Sequence, residues 1–262
     1  MHPCFDPAGF LDSARTNFRV AAQRSGRPNS IGCLWLTDPP EDRSFRRLAR
    51  PQKRQMGRWS LSQTAEPTSL VAHHESGDTL LFLAGRQVST RERFEVLALG
   101  SEMDFLPNRS LGDTVAAVRE SGAIAVIPWG FGKWWFRRGR LLAGTLASLP
   151  SAGLFVGDNA GRPRLIPRSS LFELAASRGI YNLPGSDPLP LSWEIRKPGR
   201  LGCMLEVPLE LSRPAGGLIR ALHALRAQPP VFGSPDSLPR FARSQVGLRL
   251  VSRPASPEQA GA

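Results

Sequence analysis

The sequence predicts a single α/β domain built on a mainly parallel sheet, and three observations lead there. Short apolar runs of strand length alternate with stretches of helical periodicity, glycine, proline or aspartate closes most of the apolar runs, and no repeat or long linker divides the 262 residues. Phe10, Leu11, Ala14, Phe18, Ala21 and Ala22 recur at helical spacing, and Pro7 suits the first turn of that helix. Residues 31–36 read as a buried strand ending at Thr37-Asp38-Pro39-Pro40, followed by a surface helix and loop over 43–54 and half-buried strands over 59–63 and 69–73. Residues 80–84 and 95–99 give two more strands, stopped by Gly85 and Gly100. Ser110, with Asp113 three residues on, caps a helix whose inward stripe is Leu111, Val115 and Val118 and whose end is Ser121-Gly122. Then come a strand over 123–127, a helix over 140–148, a strand over 153–157, a helix over 168–178 and a strand over 180–183. Residues 201–207 and 217–225 supply a last strand and a last helix. Serial β-α-β-α winding demands parallel neighbours. The domain is expected over 1–253, with a frayed tail over 254–262.

Composition bounds the function classes. The formal charge is +12, carried almost entirely by arginine, and 41% of the residues are hydrophobic, enough for a sizeable core. The densest basic patch, 43–54, reads either as a solvated face or, together with Trp134 and Trp135, as a surface for nucleic acid, the lesser of the two readings. Cys4, Cys33 and Cys203 are isolated and form no zinc or disulfide pattern. The start of the chain lacks the apolar core of a signal peptide and no run is long enough for a membrane span, so a soluble protein of the reducing cytoplasm is expected.

The most informative stretch is Pro128-Trp-Gly-Phe-Gly-Lys-Trp-Trp-Phe-Arg, too aromatic for an ordinary solvated loop. It follows a strand, as do the polar clusters at Asp158-Asn159 and Ser186-Asp187. Strand-end loops of a parallel sheet gather at one edge, so these residues are expected to line one pocket. Gln87, Trp129, Lys133, Arg137, Asp158, Asn159, Arg162 and Ser186 are the candidate ligand-binding residues. Gly130 and Gly132 would let backbone amides approach an anion. Asp38, Asp187 and Glu95 are the candidate catalytic groups, with Glu92 and Glu66 as weaker candidates for a base. The adjacent His73 and His74 point to opposite faces of a strand and are read as surface or edge residues.

The order of these signals resembles the polymerase and histidinol phosphatase (PHP) superfamily, loosely and over most of the chain. The residues that carry the resemblance are His2, Thr37-Asp38-Pro39, Gly85-Arg86-Gln87, Val126-Ile127-Pro128 and Gly185-Ser186-Asp187-Pro188-Leu189. It implies a distorted (β/α)7 barrel, a metal cluster at the strand ends and a phosphoesterase-type hydrolase. The chain departs from the pattern where proline, leucine and a neutral glutamine stand at ligand positions, and these cannot replace imidazole or carboxylate. Only His2, Asp38 and Asp187 remain as metal ligands, leaving at most one divalent ion (Mn, Mg or Zn), held weakly with help from Asp158. The expected function is therefore binding of a small anionic ligand, such as a phosphate ester, with or without hydrolysis. The alternative is a non-catalytic sensing module.

Overall fold

A computed structural model describes residues 4–50 and 54–251. His2, Lys53 and the tail over 254–262 lie outside the described residues. In chain order the first elements are α1 (Pro7–Arg24), β1 (Gly32–Asp38), α2 (Ser44–Ala49), β2 (Gln55–Met56), β3 (Trp59–Gln63), β4 (Ser69–His74) and β5 (Thr79–Ser89). They are followed by β6 (Glu95–Leu99), α3 (Leu111–Glu120), β7 (Ile124–Pro128), α4 (Phe136–Ser148), β8 (Leu154–Gly157) and α5 (Leu171–Ser177). A short 3-10 helix (Ser192–Arg196), β9 (Leu201–Cys203), α6 (Pro214–Ala224), β10 (Val231–Gly233) and α7 (Leu238–Val251) complete the described chain.

The expected (β/α)7 barrel is not what these elements build. One eight-stranded sheet runs β2-β3-β4-β5-β6-β7-β8 with β1 beside β5, and its end strands β2 and β8 do not pair, so it stays open. Most of its pairings are antiparallel; β1 with β5 and β7 with β8 are the parallel ones. The physical reason lies in the connections. A parallel crossover needs roughly a dozen residues or more, usually a helix. Between β5 and β6 there is only the turn of Thr90 to Phe94, where Thr90 N–H donates to Phe94 O at 2.9 Å and closes a hairpin. Parallel winding begins only at α4, between β7 and β8.

Strand β5 is the pivot of the sheet. On one edge it pairs with β1 along Leu80 to Arg86. On the other it pairs first with β4, through Thr79 to Leu83, and then with β6, through Gly85 to Ser89. Ala84 stands at the junction: its N–H donates to Thr68 O and its carbonyl accepts from Gly100 N–H, both at 2.9 Å.

Alternation of side chains sorts the core into two sides. On one face, Leu36, Leu80, Phe82 and Ala84 pack with Phe10, Leu11 and Ala14 of α1 and Phe45 and Leu48 of α2. Farther along the same face, Val96, Ala98, Ala125, Ile127 and Val156 pack against α3, α4 and α5 through Val115, Val118, Leu142, Leu146 and Phe172. On the other face Leu99, Ile124, Val126 and Phe155 meet Leu222 of α6, and Leu83 meets Ala215 and Leu218. The sheet thus lies between α1–α5 and α6. Leu142 is fully buried, so Leu142→Ala removes its burial and leaves a cavity, at a cost of about 2–5 kcal/mol.

Helix α3 forms as the sequence predicts: Ser110 Oγ accepts from Asp113 N–H at 3.1 Å, and Gly122 follows the C-terminus at φ +81°. Helix α6 begins at Pro214, and the Glu66 carboxylate accepts from Ala215 N–H at 2.8 Å and Gly216 N–H at 2.9 Å. Glu92 accepts from Leu111 N–H at 3.0 Å. Both candidate bases are therefore helix caps. The expected strand over 180–183 appears as a parallel extension beyond β8, bridging Val156 to Asn182 and Asn159 to Gly185. No helix among the described residues is long and apolar enough to cross a membrane.

Candidate functional site

The strands β1, β5, β7 and β8 run in the same direction, so their C-terminal ends share one edge of the sheet, as the sequence suggests. Which residues meet there is decided by the face to which each side chain points. Asp38 shares parity with Leu34 and Leu36 and faces the helix layer, where it is 4% exposed. Ser44 Oγ donates to it, and Phe45 N–H donates to its second oxygen at 3.0 Å, so it holds the start of α2. Asp158 shares parity with Leu154 and Val156 and also faces the helix layer. Its two oxygens accept from Arg162 Nε at 2.8 Å and Nη2 at 2.9 Å, a bidentate pair with both residues buried. Arg162 also donates to Ile166 O at 2.8 Å, which leaves it tied to the loop after β8.

The opposite face of the same edge carries the candidate site. Glu95, in line with Leu97 and Leu99, accepts from Lys133 Nζ at 2.7 Å. Gly130 makes this reach easy: a Cβ there would stand 2.7 Å from the Lys133 side chain, so only glycine lets that chain lie across the turn. Asn159 donates from Nδ2 both to Trp129 O at 3.0 Å and to Asp187 Oδ2 at 3.1 Å. Gly185 is clamped between Asp158 O, to which its N–H donates at 2.9 Å, and Ala160 N–H, which donates to its carbonyl at 3.0 Å. That clamp places Asp187 two residues on. Asp187 has φ +43°, in the left-handed region that few residues other than glycine enter and where aspartate is among the better tolerated.

The electrostatics single out Asp187. The residue is exposed to solvent, while the protein packed around its carboxyl desolvates it. Burial first, and then the neighbouring Glu95 carboxylate, push its carboxyl above the usual range; Glu194 adds to this, while Lys197 and Lys133 oppose it. Half-buried Trp35, Leu97, Leu183 and Leu205 pack around the apolar core on this face of the sheet. Glu95 thus has a lysine beside it, and Asp187 a carboxamide.

The other expected residues have clear places. Trp129 is 4% exposed and its ring belongs to the helix-side core; only its carbonyl reaches Asn159. Gln87 lies on the Glu95 face by alternation and is half-buried. Ser186 Oγ donates to Leu201 O at 3.3 Å. Arg137 is exposed on the first turn of α4 and makes no hydrogen bond or ion pair among the described residues. Trp134 is buried against Phe172, while Phe131 is 53% exposed and touches Trp135 and Phe241 at ring distances of 5.1 and 5.4 Å. His74, expected at the surface or an edge, is instead 5% exposed beneath Trp59, and its Nδ1 bonds Ser76 Oγ at 2.7 Å.

The basic patch is also accounted for. Arg43 pairs with Asp104, Arg46 with Glu102 and Arg47 with Asp42, so three of its arginines are already neutralised. Among the described residues no three His, Cys, Asp or Glu side chains converge on a place that could hold a metal ion. Asp38 turns away from Asp187, and His2 lies outside the described residues. These residues do not fit the ion that the PHP resemblance implies.

Sequence reasoning missed a buried ionic cluster behind Asp187. Lys197 Nζ lies 2.6 Å from Glu194 and 2.9 Å from Asp236, and Arg200 lies 2.9 Å from the other Asp236 oxygen. Ser244 Oγ of α7 donates to Glu194 at 2.8 Å. Nothing in the local pattern announces this cluster, in which Glu194, Lys197 and Arg200 are neighbours in the chain and Asp236 is distant from them.

No family model and no curated protein matches the sequence. Among solved structures, the crystal structure of PsfC from Pseudomonas syringae PB-5123 is similar over 92% of this chain and 91% of that one, at 15% identity and a TM-score of 0.55. At that identity the likeness extends to the fold and no further.

Proposed function

We propose that the chain binds a small polar ligand in the recess formed by Glu95, Lys133, Asn159 and Asp187, and that Asp187 is the group that exchanges a proton with it. The observation that carries this reading is the Asp187 carboxyl held by Asn159, raised by burial and by the charge of the lysine-paired Glu95. A protonated Asp187 can donate to a ligand oxygen and take the proton back, which is the role of a general acid. Asn159 orients it, and Lys133 offers its remaining N–H bonds to developing negative charge. Arg162 is engaged by Asp158, so an anion clamp built on that arginine is not supported, and the ligand contacts fall to Lys133, Asn159 and Asp187. No step is derived through a metal ion.

The lysine beside Glu95 favours an anionic ligand, so phosphate monoesters are the first substrate class to screen. Turnover that is lost in Asp187→Asn and whose alkaline limb moves to lower pH in Glu95→Gln supports a hydrolase. Ligand binding at these residues without turnover supports the sensing module. Ligands found by NMR screening that perturb neither Asn159 nor Lys133 refute the site itself.

A further inference from the structure

At the other edge of the sheet, where β1 and β5 begin, helix α1 encloses a second hollow of about 230 Å³. Liquid water takes about 30 Å³ per molecule, so this is room for a ligand with the bulk of about seven waters. Phe18 and Pro28 give it apolar surface in a mainly polar lining, over the buried Ala22 and Leu80. Gly32 permits the close floor: a Cβ there would stand 2.3 Å from the Phe18 ring and 2.6 Å from a Leu80 methyl group. Arg15, Arg19 and Gln23 recur every four residues along α1 and all line the same side.

The two arginines differ. Arg15 is fixed, with Nε on Asp78 and Nη2 donating to Ser76 Oγ at 2.7 Å. Ser76 Oγ donates in turn to Asp78 Oδ2 at 2.8 Å. Although burial works against it, the hydrogen bonds from Arg15 and Ser76 hold the Asp78 carboxyl below its usual range, so it stays charged and occupied with Arg15. Arg19 is exposed and makes neither a hydrogen bond nor an ion pair among the described residues. With two arginines and one aspartate in its lining, the hollow carries net positive charge.

We propose that this hollow binds a small organic carboxylate with an apolar body. The Arg19 guanidinium grips the carboxylate through two parallel N–H bonds, the geometry for which the guanidinium fork is suited. The Gln23 amide adds a donor, and the body lies on Phe18 and Pro28. This site is separate from the Asp187 recess, because it sits where the parallel strands begin and the recess where they end.

The test is calorimetric titration of the full chain with benzoate, with inorganic phosphate and benzylamine as comparison probes. Saturable benzoate binding is expected, weakened at least tenfold in Arg19→Gln and unchanged in Arg24→Gln, which removes the same charge from the exposed last turn of the helix. Phosphate, which has no apolar body, should bind at least tenfold more weakly, and benzylamine not at all. Absence of saturable benzoate binding overturns the proposal. So does equal weakening by both arginine variants, since that would show only general charge attraction, or phosphate binding as tight as benzoate.

Discussion

Replacing Lys197 by methionine tests how the segment that bears Asp187 is held. The ammonium group is 4% exposed and lies between carboxylates that are 6% and 1% exposed. The partners do not suffer equally. Asp236 keeps Arg200 at 2.9 Å, whereas Glu194 keeps only neutral donors, Ser244 Oγ at 2.8 Å and Leu189 N–H at 3.3 Å. One buried carboxylate is left without a cation, which costs about 3–5 kcal/mol. At about 2–4 °C per kcal/mol for chains near this size, the melting temperature should fall by roughly 6–20 °C. Arg200→Gln should cost less, because Arg200 is 22% exposed and Asp236 retains Lys197. Circular dichroism melts at pH 7 measure both. Adding Glu194→Gln should recover much of the loss. If Lys197→Met proves no more damaging than Arg200→Gln, or if adding Glu194→Gln recovers none of its loss, the cluster is not organised around Lys197.

Three further outcomes are expected. Asp187 has a raised folded pKa, so the stability linked to it is present below the usual carboxylate range and lost as pH rises through the folded value; urea melts should show Asp187→Asn more stable than the parent at neutral pH, with the gap closing in acid. Arg162→Met breaks a buried bidentate pair and should cost about 3–5 kcal/mol in the same melts while leaving ligand affinity in the Asp187 recess within twofold, since the pair faces the other side of the sheet. Burial, and secondarily Cys203, push the Cys33 thiol up to about 12, and burial pushes Cys203 up to about 11, whereas Cys4 is exposed. Iodoacetamide at pH 8 should therefore modify Cys4 alone in the native protein, as read by mass spectrometry, and rapid labelling of Cys33 would contradict the packing around β1.

Element positions were legible where one periodicity was strong. The strand over 95–99 and the helix capped by Ser110 appear where the apolar spacing puts them. Strand direction was not read correctly, because serial winding was assumed across Gly85 to Glu95, where the chain is too short for a crossover. Counting alternate residues back from Asp38 to Leu36 and Leu34, or from Asp158 to Val156 and Leu154, already puts both aspartates on the helix side. Glu95 and Asn159 have the opposite parity, and they are the ones that remain with Asp187. The Lys197 cluster is invisible for a different reason: Glu194, Lys197 and Arg200 are neighbours in the chain, but their burial around Asp236 comes only from tertiary packing.

Ala84 gives the sheet a mechanical property. Its amide is bonded to one half and its carbonyl to the other, so β5 cannot slip by a residue without breaking both seams at once. The two antiparallel ribbons are in this way locked in phase through a single alanine, and the distance between the α1 hollow and the Asp187 recess is fixed by a strand that cannot slide.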